Sequence, residues 1–324
     1  MIRVLTLWCA FMLVLQTSVV NAGSALRLAY GKGAGQVSFF NPSVTQNYEE
    51  ATPLGPMTFR RHGETFWVAD SIAGRVLCVS EIGKVLHSLT IPGVPDNTLL
   101  EDLALVPGPD GRIRSVYVAD GADLIVRQIE VASGKELGRF GGRGERPGQF
   151  LQIHQLEVGP SGRIYVGDYG RRVVAVFEPD GKLVRELPWQ LTGFLVTEQD
   201  GLIMITHTDN AGFFLKEYDT AGQPVRSVHL GQSGSMNARI WGQAAEGGYW
   251  VTLTPASGFK GYLQLVRFSH FGAVAEKRLI RPVLGMNRFL DLTSGRDLWL
   301  ARADYGAAPR GAFIIEALTR EEKK

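Results

Sequence analysis

Seven side chains stand out as able to bind or transfer something: Glu101, Asp102, His154, Gln155, Trp241, Asn287 and Arg288. All but Trp241 lie at or near the head of a short apolar stretch, as in "QFLQIHQLEV" around His154. Histidine is the side chain whose charge changes near neutral pH, and it is the commonest metal ligand. Adjacent carboxylates such as Glu101-Asp102 suit proton transfer or cation binding. Amides and a guanidinium suit recognition of polar groups. His207 is a further histidine one unit downstream. No Ser-His-Asp spacing is present that would support a nucleophilic triad. The glycine-rich runs "GKGAGQ" and "GGRGERPGQ" join strand-like segments, so they lack the helix N-terminus that holds a phosphate.

These residues need elements to bring them together, and the chain supplies a repeat. An apolar-aromatic run ending near an acid occurs as "TFWVAD", "SVYVAD" and "RIYVGD". Weaker copies are "LIMITHTD", "GYWVTLT" and "DLWLARAD". Their anchors Trp67, Tyr117, Tyr165, Met204, Trp250 and Trp299 recur 50, 48, 39, 46 and 49 residues apart. Such a period fits six propeller blades of four strands each. Within each unit, period-two alternation is broken by DG, SG and similar turns, and no segment shows a capped helical period. The fold expected is therefore all-β, a six-bladed β-propeller.

The last unit, "FLDLTSG…DLWLARAD…GAFIIEALTR", has three strands. Near the other end, "LRLAYGKGAGQ" echoes "KELGRFGGRGERPGQ", a fourth strand leading into the next unit. Leu26 to Tyr30 is thus expected to join the last blade and close the ring, as closure removes exposed edges.

Residues 1–22 read as a signal peptide: Arg3, an apolar run from Val4 to Val20, and small residues at Val20 and Ala22. An uncleaved anchor is the alternative. Residues 23–320 form one propeller domain, and 321–324 a solvated tail. After cleavage no transmembrane span is expected, and the protein would be secreted or periplasmic. Cys78 is then the only cysteine, in an alternating strand where it serves as a small buried hydrophobe. Lys+Arg 34 against Asp+Glu 32 leaves a formal charge of +2, far from the basic excess of a nucleic-acid binder.

The stretch "GRGERPGQFLQIHQLEVGPSGRIYVGDYGRRVVAVFEPDGK" resembles an NHL repeat, clearly in the third unit and more faintly in the last three. There the acid gives way to His207, Leu253 and Arg302. The resemblance implies that first strands line a central channel, so the seven residues above converge on its mouth as a ligand-binding set. Asp70, Asp120 and Asp168 are expected to cap turns through backbone N–H groups.

Around His154 the sequence is also similar to peptidylamidoglycolate lyase propellers, in which a histidine at this place binds zinc. The equivalent starts offer Met57, Asp102, Phe194, Trp241 and Arg288, with no second histidine. A zinc site would have to draw on His154, His207 and an aspartate. A lactonase-like propeller would bind calcium through Glu101, Asp102, Gln155 and Asn287, with Arg288 opposing the cation. The function expected is a non-catalytic scaffold for a small ligand or another envelope protein. A metal-dependent lyase or hydrolase, with zinc or calcium, is the alternative.

Overall fold

The computed structural model describes residues 25–40, 54–94, 99–209, 211–231, 234–255, 257–258, 260–283, 285–293, 297–303 and 311–318. The signal-peptide segment and the terminal tail lie outside them, as do Asp304, Tyr305 and Arg310. Among the described residues the chain is all-β: six four-stranded antiparallel sheets, with one short 3₁₀ turn at Ser71–Ala73. The sheets are the blades of a β-propeller.

The first strand of each blade is innermost. These strands are β2 (Thr58–His62), β6 (Leu100–Pro107), β10 (Ile153–Val158), β14 (Phe194–Val196), β18 (Ser235–Gln243) and β22 (Leu290–Thr293). Each touches the next around the ring, and β22 touches β2. The Arg288 N–H donates to the Met57 carbonyl at that junction (3.0 Å). β1 (Ala25–Ala29) is the outer strand of the sixth sheet, paired with β24 (Ala312–Ala317) from Ala25–Glu316 to Ala29–Ala312. Its Leu26 and Leu28 are buried while Ala25, Arg27 and Ala29 are exposed. That is the alternation a strand with one covered face requires.

The six anchors lie in the second strands and are all buried. They pair with inner-strand residues at one level of the channel: Arg60, Ala104, Glu157, Phe194, Gly242 and Asp291. Apolar side chains from successive blades interleave, so the core is a ring of layers between sheets. Cys78 is one of these buried residues, and burial pushes its thiol up to about 11, so it stays protonated and inert.

The glycine-rich runs are the crossovers between blades, and two of them share one design. Gly31 and Gly144 donate to the carbonyls of Val37 and Phe150, with φ of 151° and 153°. A Cβ there would stand 2.3 and 2.2 Å from the side-chain oxygens of Gln36 and Gln149. Those oxygens accept N–H bonds from Gly33 and Arg146, which is why this tight loop uses glycine followed by glutamine.

Asp70, Asp120 and Asp168 are buried at the ends of second strands and do accept backbone N–H bonds. Asp168 takes four, from Leu151 (3.0 Å), Gln152 (2.9 Å), Gly170 (3.0 Å) and Arg171 (3.3 Å). Asp70 takes Ser38 N–H and the Arg75 guanidinium, each at 2.8 Å. Asp120 takes the N–H groups of Ala122 and Asp123 and the Arg127 guanidinium. They fasten crossovers and turns rather than face a ligand.

Candidate functional site

Inner strands start at one end of the channel, here called the upper mouth, and finish at the lower. Regular alternation would give each strand one set of channel-facing residues. Three strands depart from it by one extra residue. Between Leu100 and Leu103 the register gains a residue at Glu101-Asp102. His154 is the extra residue between Ile153 and Gln155, and Trp241 between Ile240 and Gly242. Bulges re-aim side chains, and proteins keep them next to functional sites. Four of the seven residues singled out in the sequence therefore sit at bulges in the channel wall.

Asp102 is the centre of the channel and is wholly buried. It accepts from Thr58 Oγ1 (2.6 Å), Leu103 N (2.9 Å), Leu156 N (2.9 Å), and Arg288 Nε (3.3 Å) and Nη2 (3.0 Å). Burial alone would raise its pKa. The Arg288 and Arg60 guanidiniums outweigh burial and hold the carboxyl well below the usual carboxylate range. Arg288 Nη2 also donates to Glu157 (2.7 Å), which lies 3.1 Å from Arg60 Nη2 and accepts from Gln155 Nε2 (3.1 Å). Arg60 donates further to the carbonyls of Leu103 (2.9 Å) and Leu156 (2.6 Å), and comes within 3.8 Å of Asp291. Asp291 accepts from Arg61 N–H (2.9 Å), and its burial pushes its pKa up. With Thr58, Asp102, Gln155 and Arg288 all 3% exposed or less, this network plugs the channel.

Above the plug, Asn287 Nδ2 donates to Glu101 Oε2 (2.6 Å) and to the Glu101 carbonyl (3.1 Å). Burial pushes the Glu101 carboxyl up to about 7. The Asn287 bond pulls the other way, and the Asp102 charge adds to the rise. His154 Nε2 accepts from Arg239 Nη1 (3.0 Å), and its ring lies 5.7 Å from Tyr169 and 6.4 Å from Trp189. Burial, then the Arg239 charge, depress the imidazole to about 3, so it is neutral at pH 7. Arg239 stacks over Trp241 at 4.4 Å, and Trp241 Nε1 donates to Thr252 Oγ1 (2.8 Å).

A cavity of about 890 Å³ opens at the lower mouth. Its inner end reaches Arg60, Glu157 and Asp291 of the plug, and its outer wall includes Glu217, Arg226 and Gln243. A second hollow of about 290 Å³ reaches the same three plug residues beside Arg61 and His62. Of the seven expected mouth residues only Trp241 lines the large cavity. The other six are in the plug or above it. Trp241 itself is not at a strand start, because β18 begins at Ser235.

Neither metal fits the residues in place. The ring nitrogen of His154 that faces the channel is taken by a guanidinium, which repels a cation. His207 is near the end of its strand, 3.8 Å from Asp209, with its ring tilted against Phe213. Among the described residues no three His, Cys, Asp or Glu side chains gather as a metal-holding group. For calcium, Asp102 is already surrounded by arginine and backbone donors, and the amide nitrogens of Asn287 and Gln155 are turned to Glu101 and Glu157.

Arg60, Glu157, Arg239 and Asp291 were not found by the sequence reading. Arg60 and Glu157 each lie two positions on from another channel residue, Arg60 after Thr58 and Glu157 after Gln155. That i, i+2 spacing was the available signal.

No known protein family matches this sequence, and no curated protein matches it. Solved structures do match in shape. Hydrazine synthase of Kuenenia stuttgartiensis is 17% identical, with a TM-score of 0.50 over 80% of this chain and 80% of that one. Virginiamycin B lyase from Staphylococcus aureus is 13% identical, with a TM-score of 0.50 over 82% and 95%. The PQQ-bound aldose sugar dehydrogenase from Streptomyces coelicolor is 15% identical, with a TM-score of 0.49 over 82% and 95%. With the first two, at TM-scores of 0.50, the likeness is one of fold alone, and it extends over most of the chain.

Proposed function

We propose that this protein is an exported propeller of the NHL-repeat kind that binds a small polar ligand without transforming it. The observation that carries this reading is the lower-mouth cavity of about 890 Å³, at whose inner end Arg60 is paired with Glu157 and approaches Asp291. Ligand sites are concave and largely preformed, with a few fixed polar groups. Arg60 and Glu157 are such groups, held in place by Asp102 and Arg288. They are paired with each other, which suits recognition better than proton transfer. The N-terminal apolar run supports export, to the periplasm or outside the cell, where another envelope protein is the natural partner.

The test is affinity selection of a small-molecule extract from the cell envelope, followed by mass spectrometry. Gln243→Trp narrows the cavity from an exposed position on its wall. Wild-type protein should retain a compound of unchanged mass, and the variant should lose at least about tenfold of that affinity, roughly 1.4 kcal/mol. Conversion of the retained compound, or equal retention by the variant, overturns the reading.

A further inference from the structure

Three guanidiniums enter the channel, and two of them have carboxylate partners. Arg288 is held by Asp102 and Glu157, and Arg60 by Glu157. Arg239 has no carboxylate within ion-pair distance among the described residues; its one side-chain hydrogen bond there is to neutral His154. Its flanking residues Ala238 and Ile240 are buried between blades, so Arg239, between them, turns to the channel. Its plane is fixed from one side by Trp241, itself anchored to Thr252. The charges nearest it are mixed: Arg288 and Arg60 repel it, while Asp102 and Glu157 attract it from beyond ion-pair distance.

An unpaired guanidinium at a half-buried position is costly unless something completes it. Here the fork is held against Trp241, one of its five N–H donors is committed, Arg239 is itself part-exposed, and its partner His154 lies against Tyr169, which is 44% exposed. We propose that Arg239 is the seat of a carboxylate group, carried by a small ligand that enters the upper mouth and is bound by two parallel N–H···O bonds. A carboxylate matches the planar fork lying over Trp241 and brings a single negative charge, whereas a phosphate, which pairs with the same fork, brings up to two toward Asp102 and Glu157. Burial, followed by repulsion from Arg288, pushes Arg239 down to about 9, and a bound anion would relieve both effects. Arg239 is not among the residues lining the large cavity, although Trp241 beneath it is, and the seat stands whether or not that cavity takes a ligand.

The test uses NMR of the Trp241 indole N–H, which lies under the Arg239 guanidinium, with titration of sodium acetate, inorganic phosphate and sodium chloride at constant ionic strength. Acetate should shift the Trp241 signal saturably. Arg239→Lys, which keeps the charge and loses the fork, should weaken acetate at least about tenfold, and Arg239→Met should abolish the response. If Arg239→Met does not fold, the lysine variant alone decides. The proposal is overturned if acetate gives no saturable shift, if phosphate binds as tightly as acetate, or if Arg239→Lys binds acetate as the wild type does.

Discussion

Glu101 shows how one side chain can register the protonation of the channel. Its carboxyl is pushed up to about 7 in the folded protein, against an ordinary value of 4.5. The folded state therefore holds a proton that the unfolded state releases. Its contribution to stability is complete below about pH 4.5 and is lost as pH rises to about 7. Glu101→Gln should flatten that decline, seen as a smaller drop in unfolding midpoint between pH 5 and 7.5 relative to wild type. His154 slopes the other way: its depressed pKa contributes stability above about 6.5 that is lost as pH falls toward 3. Glu101, Asp102, His154, Gln155, Asn287 and Arg288 were legible in the sequence because polar groups at the head of an apolar strand are conspicuous. Their pairing with each other was not. It depends on Arg60, Glu157, Arg239 and Asp291, which become channel residues only once strand register and the bulges are known.

At the scale of strands, the repeat was readable because the second strand of each blade carries the same buried aromatic or methionine anchor. The blade order and the crossover loops followed from it. The acid after that strand fades in blades four to six, and the reason is local: Asp70 and Asp168 bind crossover N–H groups that His207, Leu253 and Arg302 cannot satisfy in the same way. β1 offers a clean test. Leu28 is 1% exposed and pairs with Phe313 of β24, in the layer that joins blade six to blade one. Leu28→Ala should cost about 2–5 kcal/mol in urea unfolding, the usual range for a leucine emptied from a packed core. Arg27→Ala, on the exposed face of the same strand, should cost within about 0.5 kcal/mol.

For the molecule as a whole, the plug ties blades that are far apart in sequence. Arg60 of blade one bonds to carbonyls of blades two and three, and Arg288 of blade six to carboxylates of the same two. Asp102→Asn keeps the shape of the side chain and removes its charge, leaving Arg288 and Arg60 short of a partner. Breaking a buried pair in this way costs roughly 3–5 kcal/mol. The loss should appear in one cooperative transition reported alike by tryptophan fluorescence and circular dichroism; a separate early transition of one blade would show that the plug does not couple them.

The same plug makes the channel a line of charge. Asp102 and Arg288 are closed to solvent, and the charges around them stand a few ångströms apart. An anion arriving at Arg239 is felt at Asp102 and Glu157, and so at the inner end of the cavity that Glu157 lines.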